Sequence, residues 1–172
     1  MQYQETYEQF MKRVFDDPYT MYNSPGWDTI LPKLVGDAKQ EAWDHLMTAL
    51  EKKDQRAIQG FCYLEPLKAL PYIRPLLTKK GDPLYWEALK FLNEFDDEAD
   101  KDHLTDLLME YLNSDDVNDQ IPAARVARYF PRDDVIARLR NLNQRTENKN
   151  VRMLSRESLE EINKNECRKD SP

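Results

Sequence analysis

The feature that most constrains this chain is a spacing that recurs four times. Asp54, Asp82, Val117 and Lys149 stand 28, 35 and 32 residues apart, and the residues that follow each of them match. Four places on are Ile58, Trp86, Ile121 and Met153. Six places on are Gly60, Ala88, Ala123 and Ser155, and ten places on are Leu64, Leu92, Ala127 and Leu159. Offsets 4, 7 and 10 fall near one face of a helix with 3.6 residues per turn. Position seven holds Phe61, Leu89, Ala124 and, out of pattern, Arg156. The small residue at offset six lets a neighbouring helix come close. That accounts for Gly60, which inside a helix costs about 1 kcal/mol against alanine. Periods of this length belong to arrays of two-helix units, in which each unit buries its apolar face against the next.

A first helix is expected before each of these segments. The stripes are Trp43, Leu46, Met47 and Leu50; Leu70, Ile73, Leu76 and Leu77; Leu104, Leu107, Leu108 and Leu112; and Val135, Ile136, Leu139 and Leu142. Four helix pairs are therefore expected between about Lys39 and Asn163, with Arg156 marking a terminal, capping unit. Pro75 and Pro122 fall inside predicted helices and are expected to kink them.

The stretch Ala69-Leu70-Pro71-Tyr72-Ile73-Arg74-Pro75-Leu76-Leu77 runs through a turn containing Asp82 into Ala88-Leu89-Lys90-Phe91-Leu92. It resembles one unit of the HEAT repeat family: a first helix opening near Leu-Pro, a short turn with Asp, and a second helix with Ala-Leu-x-x-Leu. The resemblance covers roughly three quarters of the chain. It implies an all-α, right-handed α-α superhelix, a HEAT-like solenoid of about four helix pairs with an N-terminal helical cap. It also implies scaffolding or binding through the inner helices of a curved array. A degenerate repeat of this kind specifies architecture and leaves function to the surface.

Residues 1–163 are expected to form a single repeat domain, and 164–172 a disordered tail. Tyr3, Tyr7, Phe10, Met11 and Val14 form a helical stripe that ends at Asp17-Pro18, since the residue before proline avoids the helical region. Tyr19 to Gly26 is expected to be a loop and Trp27 to Leu34 a short helix. The N-terminus lacks a basic region followed by an apolar run, and no stretch approaches the ~20 apolar residues of a membrane span. A soluble, cytoplasmic protein is expected. Cys62 and Cys167 do not make a disulfide framework; Cys62 is expected to be a buried small hydrophobe.

Charge is segregated. Eleven acids lie between Asn93 and Asp119 against one base, Lys101, for a net −10; nine bases lie between Gln120 and Arg156 against three acids, for +6. Adjacent repeats could simply neutralise each other by surface ion pairs, each contributing only ~0–1 kcal/mol. The sharper alternative is two opposed partner-binding patches. The acidic one comprises Glu94, Asp96, Asp97, Asp100 and Asp102. The basic one comprises Arg125, Arg128 and Arg132, at i, i+3 and i+7 on one expected helix face beside Tyr129. With a chain net charge of −7, the balance favours a protein partner, one of basic character included, over nucleic acid.

No catalytic, cofactor-binding or metal-binding residues are expected. Four glycines leave little room for a glycine-rich phosphate loop. The Asp96–Asp102 cluster lacks the glycine and final glutamate of an EF-hand and suits a helix start, where acids cap and meet the dipole. His45 and His103 stand outside any spaced ligand set, and no Ser-His-Asp or Cys-His grouping is assembled by spacing. Trp27, Trp43 and Trp86 are expected in the core. DNA glycosylases built from HEAT-like repeats exist, but the acidity here argues against that branch. A small acidic domain is similar in general character to bacterial immunity proteins, in which an acidic ridge masks a basic toxin surface. The function expected is thus a non-enzymatic protein-binding module. The alternative is phosphate or nucleic-acid binding through the three arginines.

Overall fold

A computed structural model describes residue 9, residues 27–78 and residues 81–169. The expected stripe Tyr3, Tyr7, Phe10, Met11 and Val14, the stop at Asp17-Pro18 and the loop from Tyr19 to Gly26 lie outside the described residues. Among the described residues there are helices and no strand, so the chain is all-α. The chain divides into two compact units, Met1–Glu87 and Ala88–Pro172.

In the first unit, α1 (Trp27–Ile30) leads through a 3-10 turn, Leu31–Lys33, to α2 (Gly36–Glu51), α3 (Gln55–Phe61) and α4 (Pro66–Ile73). Helix α5 (Tyr85–Phe95) crosses into the second unit, which continues with α6 (Lys101–Leu112), α7 (Val117–Val126), α8 (Asp133–Arg145) and α9 (Lys149–Lys169). Helix α9 carries on six residues past the expected end at 163, so 164–169 is helical where a disordered tail was expected.

The repeat has a concrete cause at the start of each second helix. Asp54 accepts from the Arg56 N–H at 3.0 Å, Asp82 from Leu84 at 3.0 Å, Asp116 from Asn118 at 2.8 Å and Asn148 from Asn150 at 3.0 Å. At Asp54, Asp116 and Asn148 the side chain satisfies an N–H that the helix start leaves without a partner, whereas Asp82 holds Leu84 in the turn just ahead of α5. Two of the four sequence anchors, Val117 and Lys149, are therefore one residue late: the caps are Asp116 and Asn148.

The small column at offset six is fully buried. Gly60 is buried, and Ala88, Ala123 and Ser155 are each 0% exposed. The first-helix stripes bury Trp43, Leu46 and Leu50, then Leu104, Leu108 and Leu112, then Val135, Leu139 and Leu142. The stripe from Leu70 is weaker. Helix α4 stops at Ile73, Pro75 lies in the following 3-10 turn Arg74–Thr78, and Leu76 and Leu77 are only half-buried. Pro122 lies inside α7, which runs on to Val126. Arg156 is exposed, 3.8 Å from Glu160 one turn on.

The turn between α2 and α3 has no spare residue. The N–H of Lys53 bonds the Leu50 carbonyl and that of Asp54 the Ala49 carbonyl, both at 3.0 Å, while Lys53 takes the left-handed conformation at φ 60°. This is a Schellman ending with lysine where glycine is usual. Asp54 thus closes α2 and caps α3. The next equivalent turn is tied to it: Lys53 Nζ reaches Asp82 at 2.8 Å, and Gln55 donates to the Pro83 carbonyl at 2.9 Å.

In the second unit α9 packs on α7 and α8, and α6 packs on α7. Ser158 Oγ donates to the Ala124 carbonyl at 2.6 Å across the α9–α7 contact. Ser155, one turn earlier, is equally buried, yet its Oγ has no hydrogen-bond partner among the described residues. Opposite outcomes follow for the same truncation. Ser155→Ala should raise stability by about 1 kcal/mol and Ser158→Ala should lower it by about 1 kcal/mol, read as urea midpoints. Two effects of the same sign would contradict the hydroxyl assignments.

Acid should act through Asp54. Burial pushes its carboxyl up, but bonds to the Arg56 side chain and N–H outweigh this and hold it below the ordinary 3.8. A carboxyl held low in the fold adds stability that is fully present above its unfolded value and lost as pH falls through the folded one. Asp54→Asn keeps the cap but cannot titrate. Between about pH 6 and pH 3, the variant should lose less stability than the wild type; parallel losses would exclude this source.

Candidate interaction surfaces

The acidic segment runs from the end of α5 through the turn 96–100 into α6. Its residues divide by role. Asp96 is 2% exposed and accepts from the Glu98 N–H at 3.2 Å. Its carboxylate shapes the turn, so it drops out of the expected partner-binding set. Asp100 is exposed and caps α6, accepting from the N–H groups of Asp102 and His103 at 3.0 and 3.1 Å. Capping, the expected structural role of this cluster, is present. Glu94, Asp97, Asp102, Asp106 and Glu110 are exposed. On α6, Leu104, Thr105, Leu108 and Leu112 face inward. Asp102, Asp106 and Glu110 recur every four residues on the outer side, as helical period dictates.

Lys101, the single base of the segment, is turned away from that surface. Its ammonium donates to the carbonyls of Leu92 at 3.0 Å, Asn93 at 2.7 Å and Asp96 at 2.8 Å. It closes the carbonyl end of α5, where a cation is favoured by the helix dipole. Arg138 does the same for α6, donating from Nε and an Nη to the Leu112 carbonyl at 3.0 and 2.9 Å. Neither role was foreseen from the sequence. The only available signal was a long cation a few residues past a helix end, too common to single out.

The basic residues do not form one stripe. Helix α7 stops at Val126 and a 3-10 turn covers Ala127–Tyr129. Arg125 lies in the last turn of α7 and Arg128 in the 3-10 turn, while Arg132 is the N-cap residue of α8. The expected common face at i, i+3 and i+7 is thus broken before its third member. Arg132 pairs directly with Asp102 and lies 3.6 Å from Asp134. The hydrogen bond to Asp102 raises the Arg132 pKa above its ordinary value. That pair joins the two oppositely charged segments, so local neutralisation operates at one point between them.

His45 Nδ1 lies 3.0 Å from the Glu41 carbonyl on its own helix, and His103 is exposed. The half-buried Cys62 thiol donates to the Ile58 carbonyl at 3.4 Å. Among the described residues no group of three or more His, Cys, Asp or Glu could hold a metal ion. None of the described helices is long and apolar enough to cross a membrane. No protein-family model, curated protein or solved structure matches the chain.

Proposed function

We propose that the chain is a non-enzymatic protein-binding module of HEAT-like helix pairs in a right-handed superhelix, acting in the cytoplasm on a basic protein partner. The observation that carries this is the outer face of α6 and the turn before it. Asp97, Asp100, Asp106 and Glu110 are exposed there, and the one nearby lysine is bonded inward to helix carbonyls. Such a surface attracts a basic partner and speeds encounter, with strong salt dependence. An immunity-type inhibitor that covers the basic face of a toxin is the form of this function that the small acidic domain suits best. The nucleic-acid alternative loses one of its three arginines to Asp102.

The test is affinity capture at low and high salt with wild type and with Asp106→Lys/Glu110→Lys. Basic proteins held by the wild type at low salt and lost with the variant are expected. The same proteins retained by both would remove the acidic face from the proposal.

A further inference from the structure

We propose that Arg125, Arg128, Tyr129 and Lys90 form a second recognition surface, opposite in sign to the first, that takes a carboxylate-rich segment of a protein partner. It rests on the protein-binding reading above and adds a separate site and a separate ligand chemistry.

All four residues belong to the second compact unit. Arg125 is exposed and has no carboxylate partner among the described residues. Arg128 Nε donates to the Arg125 carbonyl at 3.0 Å, which leaves both terminal nitrogens without an acid partner among the described residues. Tyr129 is 43% exposed, and Lys90 Nζ lies 5.2 Å from its ring centroid. The turn that presents them is anchored, since Asn93 donates to the Tyr129 carbonyl at 2.8 Å. Four bases of this region are held elsewhere: Arg132 by Asp102, Arg138 by the Leu112 carbonyl, Arg152 by the Thr146 carbonyl and Arg156 by Glu160.

Two guanidinium groups three residues apart repel each other when no anion lies between them. A carboxylate offsets that repulsion and matches the planar fork of each guanidinium. Exposed tyrosine beside arginine is also the composition favoured at protein interfaces. A nucleic-acid strand fits less well. Lys90 stands over the Tyr129 ring where a base would stack, and the exposed Glu94 lies one helical turn beyond Lys90. A strand carrying a phosphate at every nucleotide would run on into that carboxylate, whereas a short acidic peptide can end before it.

The test is fluorescence anisotropy on the full chain with a labelled glutamate-rich peptide, a labelled oligothymidylate and a labelled lysine-rich peptide. The variants are Arg125→Glu/Arg128→Glu and, with the same charge change on α8, Arg140→Glu/Arg145→Glu. The glutamate peptide should bind the wild type and bind Arg125→Glu/Arg128→Glu roughly tenfold more weakly, with a much smaller change in the α8 variant. Arg128→Lys, which keeps the charge and loses the fork, should weaken it by a smaller factor. No binding of the glutamate peptide, equal losses in both double variants, or tighter binding of oligothymidylate at the same arginines would overturn the proposal. The lysine peptide reports separately on the acidic face and should still bind Arg125→Glu/Arg128→Glu.

Discussion

Gly60→Ala is expected to destabilise the protein by about 2 kcal/mol, although helix propensity alone favours alanine by about 1 kcal/mol. A Cβ at this position would lie 2.9 Å from Trp27 Cζ3 and 3.0 Å from Leu46 Cδ1, and nearer still to Leu46 Cδ2. Leu46 is fully buried and Trp27 nearly so, so neither can give way without disturbing α1 or α2. Interiors packed to crystal density answer added volume with strain. A loss of this size should lower the melting temperature by roughly 4–8 °C. The cause is checked by a double-mutant cycle with Leu46→Ala, which is costly alone but opens the space the new methyl needs. The pair should be less damaging than the sum of the two. A neutral or stabilising Gly60→Ala would mean that α2 and α3 are packed more loosely than described.

Lys101→Met is the second large effect, expected at about 2–3 kcal/mol of lost stability. Methionine keeps the apolar stem of the side chain but leaves the carbonyls of Leu92, Asn93 and Asp96 without the ammonium. Amide exchange should quicken first at the end of α5 and in the turn to α6. The substitution also removes the only base of the acidic segment. Binding of a basic partner, measured where the variant is still folded, should therefore be kept or strengthened. A stability loss together with abolished binding would put Lys101 in the interface. No stability loss would remove it from the helix end.

The sequence exposed most of the helical plan because the repeat acts through residue volume. Gly60, Ala88, Ala123 and Ser155 could be aligned by size alone, and all four are buried. The start of each helix was less legible. A side-chain cap is one residue wide, and Asp115-Asp116 offers two that would do; only the bond to the Asn118 N–H distinguishes Asp116. The surface was the least legible. Asp96 and Asp97 are neighbours of the same type, yet one is buried and the other exposed. Arg132 sits at helical spacing from Arg125, but the helix between them ends. Composition counts charge; it does not say which charges bond to backbone and which face solvent.

The shared residue between α2 and α3 limits how a chain like this can change its length. Asp54 serves both helices at once, so an inserted residue has nowhere to bulge. It would either break the Schellman ending or turn α3 by about 100° about its axis. That rotation would carry Ile58 and Phe61 out of the core and bring Arg56 and Gln59 toward it. Substitutions can accumulate on the outer faces of these helices, but insertions and deletions at this turn cannot. Descendants of this sequence should keep the length of this turn long after its residues have diverged.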